Sequence, residues 1–228
     1  MKTKIIYEDE YVIVVDKPAG MAVQTKSYTQ ADVESELRKY VKGKDRKADI
    51  YVVHRLDQPV SGLCVFARDK KSADFLSKQL NDGRMKKTYT ATVIKTEDNG
   101  PDLLEKGEGT LTDMLYKDSA TNTSRVVEPE EPEYKEAKEA ILDYKVIDTE
   151  SDMFPKRGQL EINLHTGRHH QIRVQLSHAG MPIEGDTKYG SKESGDNATG
   201  RDARSISLRA SRLEFVHPKS LDTVTFLC

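Results

Sequence analysis

The chain has 228 residues, of which 36% are hydrophobic and 32% charged, with a formal net charge of −2; that suits one globular domain, or one with an appendage, and a real core. It holds no run of about 18 apolar residues, and Glu8, Asp9 and Glu10 interrupt the N-terminal apolar stretch, which excludes a membrane-spanning helix and a signal peptide. Its two cysteines, Cys64 and Cys228, make neither a disulfide framework nor a zinc site, so a cytoplasmic protein is expected.

Residues 4–21 read as two short strands around an acidic turn, closed by Lys17-Pro18-Ala19-Gly20. Residues 29–43 predict a helix with Thr29 as N-cap, Val33, Leu37 and Val41 near one face, and Gly43 at its end. "VVHRLDQPVSG" (52–62) sits between apolar runs at 50–53 and 63–67, which gives strand, irregular turn, strand. A second helix follows over 69–85, with Ala73, Leu76 and Leu80 at helical spacing and Gly83 as its stop. Residues 86–95 alternate as a strand should, with Tyr89, Ala91 and Val93 on one face.

From Thr96 to Glu136 the chain reads as a loop-rich acidic insertion, with one or two short strands near 110–115 and 123–127. Order returns in antiparallel strands over 136–148 and 158–167, then a helix over 168–180 with Ile172, Leu176 and Ala179 on one face. Strands over 205–218 and 223–228 finish the chain. Hairpin-joined strands with a few helices predict an α/β (α+β) domain around one largely antiparallel sheet: a single domain over 1–228 carrying the insertion at 96–136.

The small net charge hides a segregated pattern. Residues 38–95 hold 15 Lys/Arg against 6 Asp/Glu, whereas 96–161 hold 8 against 18. A basic face for a polyanion and merely solvated helices and loops explain this equally well.

Two stretches carry candidate chemistry. In the first, Asp57 precedes Pro59, and Gly62 permits a tight backbone turn. The aspartate is a turn former, an ion-pair partner or a reactive carboxylate. The second is "LHTGRHHQIRVQLSHAGMPIEGDTKYG" (164–190). Thr166-Gly167 turns into a helix N-terminus, which attracts anions, and Arg168 and Arg173 add forked donors that suit phosphate or carboxylate. Gly180, Pro182, Gly185 and Gly190 shape a return loop. Together the stretches point to a polyanion site with a poised aspartate.

"HRLDQPVSGL", "KKTYTATV" and the 164–190 stretch resemble the three motifs of the RluA-type pseudouridine synthases. Residues 5–23 resemble the opening segment of that family's catalytic domain, and "SLRASRLEFVHP" its closing strand, so the likeness spans nearly the whole chain in order. The resemblance implies the pseudouridine synthase fold and an enzyme that isomerises specific uridines in rRNA or tRNA. It implies Asp57 as the essential carboxylate, acting on the ribose as nucleophile at C1′ or in forming a glycal, or on the base. It implies Tyr89 as a ring for stacking on the target base, with a hydroxyl that helps remove a proton. Arg173 is implied as the partner that keeps Asp57 ionised, and Arg55 as a contact near the flipped nucleotide. His54, Arg168, His170 and Gln171 are the further implied substrate-binding residues. No cofactor or metal is implied, and no protein partner.

The chain departs from the family pattern in places. Val60 stands where threonine is usual, and His169 adds a second histidine beside His170. The chain begins at the catalytic domain, without the small RNA-binding domain many relatives carry in front, so RNA choice is expected to rest on the core and a monomer is expected. Other readings are weaker. His54, His165, His169, His170 and His178 lack the carboxylate or cysteine set that would complete a metal shell. Ser61 with His54 does not form a nucleophile elbow. An idle RNA-binding protein on the same fold is the main alternative, and the presence of Asp57, Tyr89 and Arg173 together favours an enzyme.

Overall fold

The computed structural model describes residues 2–26, 30–95, 103–150, 157–190 and 205–228. Their contacts gather into two compact units, one of residues 1–88 with 209–228 and one of residues 89–208. Most strand pairs run antiparallel and the helices are few, an α+β architecture as expected.

In the first unit, β1 (Lys4–Glu8) and β2 (Val12–Lys17) form a hairpin. Asp9 closes its turn, accepting the backbone N–H groups of Tyr11 and Val12 at 2.7 and 2.8 Å. β2 lies between β1 and β4 (Ser61–Ala67), and nearly all of its residues are buried, as a central strand requires. The short β3 (Tyr51–Val52) pairs with β4 antiparallel. On the same edge of β4, away from β2, β10 (Leu208–Val216) pairs with β4 in parallel, and β11 (Thr223–Leu227) pairs with β10.

α1 (Val33–Lys44) buries Val33, Leu37 and Val41, the face its spacing predicts. Its N-cap is Asp32, whose side chain accepts from Ser35 N at 2.7 Å; Thr29, the expected cap, lies outside the described residues. Gly43 falls inside the last turn, and Asp45 is the C-cap. α2 (Lys70–Asn81) is capped by Asp69 and packs Leu76, with Ala73 and Leu80, on a core that includes Val12, Val14, Leu63, Val65 and Phe215.

The second unit orders its strands β5 (Lys86–Ile94), β9 (Arg157–Leu164), β8 (Lys138–Glu150), β6 (Glu108–Asp118), β7 (Thr123–Val126). A short α3 (Leu103–Lys106) precedes β6, and a 3-10 turn (Pro132–Glu136) precedes β8. The expected loop-rich insertion therefore contains an eleven-residue strand, β6, paired with β8 from Glu108↔Lys145 to Leu115↔Lys138. Backbone pairing, not side-chain apolarity, builds it: most of its residues stay partly or fully exposed. Residues 96–102 of the same stretch lie outside the described residues. α4 (Gln171–His178) packs Val174 near Leu115 and Ala140.

Candidate functional site

Asp57 is half-buried on a turn closed by Val60 N–H, which donates to the Asp57 carbonyl at 3.1 Å. Three features fix that turn. Gln58 is tied to Gly20 in both directions: Gly20 N–H donates to Gln58 O at 2.8 Å, and Gln58 Nε2 donates to Gly20 O at 3.0 Å. Val60 is 3% exposed, so the aliphatic side chain that replaces the usual threonine fills an apolar place where a hydroxyl would need a partner. Gly62 has φ +114°, and a Cβ there would lie 2.3 Å from the carbonyl oxygen of Ala210 on β10. Only glycine lets β4 and β10 approach so closely.

Arg55 is exposed beside this turn and lines a groove of about 610 Å³ together with Arg38, Asp49, Tyr51, Asp74 and Ser77. His54 lines the same groove but is only 6% exposed, and its Nε2 accepts the backbone N–H of Val65 at 3.2 Å. Nδ1 therefore carries the ring proton, and it has no partner among the described residues. Burial, with the Lys87 charge adding to it, pushes His54 down to about 3, so the ring is neutral. His54 thus braces β4 through Val65.

Beneath the turn lies a group that sequence reasoning passed over as loop punctuation. Lys17 is completely buried, and its ammonium donates to Met21 O (2.7 Å), Pro18 O (3.0 Å) and Gln58 O (3.2 Å). Burial lowers it to about 8, against the pull of Cys64, Asp57 and Asp16. Its signal was a lysine closing the apolar run of β2. Arg209 on β10 joins Asp16 (2.7 Å) and Ser61 (3.3 Å), bracing the strand that follows the turn.

In the second unit, Tyr89 is 6% exposed and points inward with Ala91 and Val93, as the alternation predicts. Arg173 is 5% exposed on α4. Within its own unit it forms a two-pronged pair with the buried Asp186, Nε to Oδ2 at 2.7 Å and a terminal nitrogen to Oδ1 at 2.8 Å. Asp186 also accepts the backbone N–H groups of Lys188 (3.0 Å) and Tyr189 (3.2 Å), and the Arg173 guanidinium lies 5.0 Å from the Tyr189 ring centre. Nothing in the sequence marked Asp186, because its partner lies thirteen residues upstream.

His170 caps α4 in the left-handed region (φ 55°) and places Nδ1 2.6 Å from the Tyr189 hydroxyl. His169 stacks on it, ring centres 3.7 Å apart, with its own Nδ1 2.9 Å from Ser124 Oγ. Arg168 is exposed, with Nε donating to Glu139 O at 2.7 Å. Gln171 is 3% exposed; Oε1 accepts from Arg168 N–H (3.0 Å) and Thr166 Oγ1 (2.8 Å), while Nε2 donates to Ile141 O (3.1 Å) and Gln175 Oε1 (3.0 Å). Both ends of the amide are engaged in holding the turn that presents Arg168.

A family model described as RNA pseudouridylate synthase matches residues 11–178, which include Asp57, Tyr89 and Arg173. The chain is 32% identical over 217 residues to an uncharacterized RNA pseudouridine synthase, YhcT, of Bacillus subtilis, covering 94% of this chain and 64% of that protein. It is 31% identical over 226 residues to the tRNA pseudouridine synthase C of Vibrio vulnificus, covering 94% of this chain and 85% of that protein. A ribosomal large subunit pseudouridine synthase C of Buchnera aphidicola is 31% identical over 216 residues, covering 94% of this chain. The chain spans less than two thirds of the length of the Bacillus and Buchnera relatives, 64% and 63%. The solved structure of human RNA pseudouridylate synthase domain containing 1 shares the fold, with TM-score 0.74 at 20% identity over all of this chain and 83% of that one. Since the family match runs from β2 through α4 and takes in the aspartate turn, the inward tyrosine and the arginine helix, the chain belongs to the RNA pseudouridylate synthase family.

Proposed function

We propose that the chain isomerises a uridine within RNA to pseudouridine, with Asp57 as the carboxylate that works at the ribose. The observation that supports this best is the aspartate turn: a half-buried Asp57 on a backbone turn tied down through Gln58, Lys17 and Gly62, inside the matched family segment. The N1–C1′ bond breaks, the base turns, and C5 bonds to C1′ as the C5 proton leaves and N1 gains one. An ionised carboxylate suits attack on, or stabilisation of, an oxocarbenium-like C1′. The freed uracil must be kept from water while it turns.

In this reading Tyr89 stacks on the target base and assists proton removal, and Arg173, oriented by Asp186, serves Asp57. Arg55, exposed at the groove, meets the nucleotide that must leave its stack for the reaction. Arg168 and His170, at the start of α4, contact the RNA backbone. His54, lining the groove beside Arg55, and Gln171, behind Arg168, hold these groups in place. The enzyme works as a cytoplasmic monomer, which sedimentation of the purified chain checks.

The test is to incubate ribosomal RNA and bulk tRNA, each transcribed without modification, with the protein. The RNA is then digested and its nucleosides separated. Pseudouridine in either sample that disappears with Asp57→Asn supports the reading. RNA binding with no pseudouridine from the parent protein points to an idle binder instead.

A further inference from the structure

We propose that the groove beside the aspartate turn reads a guanine that neighbours the target uridine in RNA, with Asp74 of α2 as the carboxylate that sets the choice of base. That the neighbouring uridine is the target rests on the proposed function; the groove's preference for guanine does not.

The groove, about 610 Å³, lies within the first unit. Its size falls in the range of about 300–1,000 Å³ that holds a small ligand. Part of its lining is already satisfied. Arg38 of α1 donates to Glu34 at 2.7 Å and to Ile50 O at 3.1 Å, and it also pairs with Asp49. The rest of the lining is not. Among the described residues, the side chains of Tyr51, Arg55, Asp74 and Ser77 make no hydrogen bond or ion pair within the chain. Asp74 and Ser77 lie three residues apart, on one face of α2. His54, in the same lining, adds a buried Nδ1–H that is also unmet among the described residues. A concave site with this much unspent hydrogen-bonding capacity suits a polar ligand.

Charge tells which part of an RNA fits. The charged lining is Arg38 and Arg55 against Glu34, Asp49 and Asp74, so carboxylates outnumber guanidiniums. A phosphate grip needs the opposite balance. A neutral base fits instead, and the free pair of Arg55 and Asp74 selects among bases. Guanine sets N1–H and its 2-amino group side by side, and one carboxylate accepts both. Its O6 and N7, on the adjoining edge, suit an arginine fork. Adenine, cytosine and uracil each offer a carboxylate a single donor group. Tyr51, 36% exposed, supplies a ring on which a base stacks. Arg55 and Asp57 are two residues apart, which spans at most about 7 Å. The nucleotide in the groove is therefore a close neighbour of the one at Asp57. Arg55 has five N–H donors, enough to serve both.

Two experiments on the full chain test this. The first titrates the labelled protein with the 5′-monophosphates of guanosine, inosine, adenosine, cytidine and uridine, and follows backbone amides by NMR. The shared phosphate leaves the base as the only variable. Guanosine monophosphate should move amides of residues 51–55 and 73–77 and bind roughly fivefold or more tighter than the others. Inosine monophosphate, which lacks the 2-amino group, should fall with the weaker set. Asp74→Ala, exposed on its helix and checked by thermal melting, should erase the preference. Equal binding of all five, or no shifts at the groove, overturns the proposal whatever reaction the protein performs. The second takes an RNA in which the parent forms pseudouridine and changes, one at a time, the nucleotides flanking the modified uridine. One of them should be a guanine whose change to inosine or adenine lowers kcat/KM on the order of tenfold, while Asp74→Ala treats the guanine and adenine RNAs within about twofold of each other. No dependence on a flanking guanine, or a dependence that survives Asp74→Ala, overturns the assignment. If the parent forms no pseudouridine, the functional reading fails while the NMR arm still decides what the groove binds.

Discussion

Gly62→Ala is a severe test of how the aspartate turn is built. An alanine Cβ would lie 2.3 Å from Ala210 O, 2.6 Å from its N and 2.8 Å from its C, all backbone atoms of β10. Ordinary contact needs about 3.5 Å, so β4 and β10 must part by about 1 Å exactly where Gly62 pairs with Ala210 in register. The backbone must also hold alanine at φ +114°, a strain of about 1–3 kcal/mol. Displacing the packed pair adds about 1–3 kcal/mol, for a total of roughly 2–6 kcal/mol. In a chain of this size that lowers Tm by roughly 5–20 °C. Gly83→Ala is the control: its φ is +76° but nothing lies within 4 Å, so only the conformational cost of about 1–2 kcal/mol applies. Thermal melting and urea titration of both variants decide it. A Gly62→Ala protein no less stable than Gly83→Ala would refute the account of the β4–β10 approach.

Asp186→Asn removes the carboxylate from a buried arginine, and urea unfolding should show a loss of about 3–5 kcal/mol with pseudouridine formation falling alongside. His54 supplies a pH dependence. Its folded value, about 3, lies below the ordinary 6.5, so the folded protein binds fewer protons than the unfolded chain between those values. Its contribution is complete above pH 6.5 and is lost as pH falls toward 3, by up to about 1.4 kcal/mol per pH unit. Urea midpoints from pH 7 to 4 should therefore fall more steeply in the parent than in His54→Leu, even though the variant is weaker at pH 7. Arg168→Ala should raise KM for RNA several-fold and flatten its salt dependence. Gln171→Leu should instead cost about 1–3 kcal/mol of stability, read by melting.

Local pattern made much of this fold legible. Val33, Leu37 and Val41 on α1, and Tyr89, Ala91 and Val93 on β5, are buried as their spacing requires. The short strand expected near 110–115 is there, but the full eleven-residue length of β6 was hidden, because it alternates polar with half-buried residues and is extended by the backbone ladder to β8, thirty or so residues away. The α1 cap was misplaced for a similar reason. Asp32 accepts from Ser35 N within the helix and also from Thr25 N behind it, a tie that no local signal announces.

In the site, the motif residues were legible by type but not by task. Arg55 and His54 are neighbours on one groove, yet Arg55 is exposed there while His54 is nearly buried and accepts from Val65 N–H. Burial of Lys17 and Asp186 arises from chain segments brought together only by folding, so their weight appears only in three dimensions.

The most direct measurement of the central claim is tritium release from RNA carrying [5-³H]uridine, with ribosomal RNA and tRNA as separate substrates. Bonding of C5 to C1′ expels the C5 hydrogen. The account predicts release from at least one RNA by the parent protein and none by Asp57→Asn that still binds it. Equal release by the two proteins would contradict the role of Asp57, and no release from either RNA at stoichiometric protein would contradict the reaction itself.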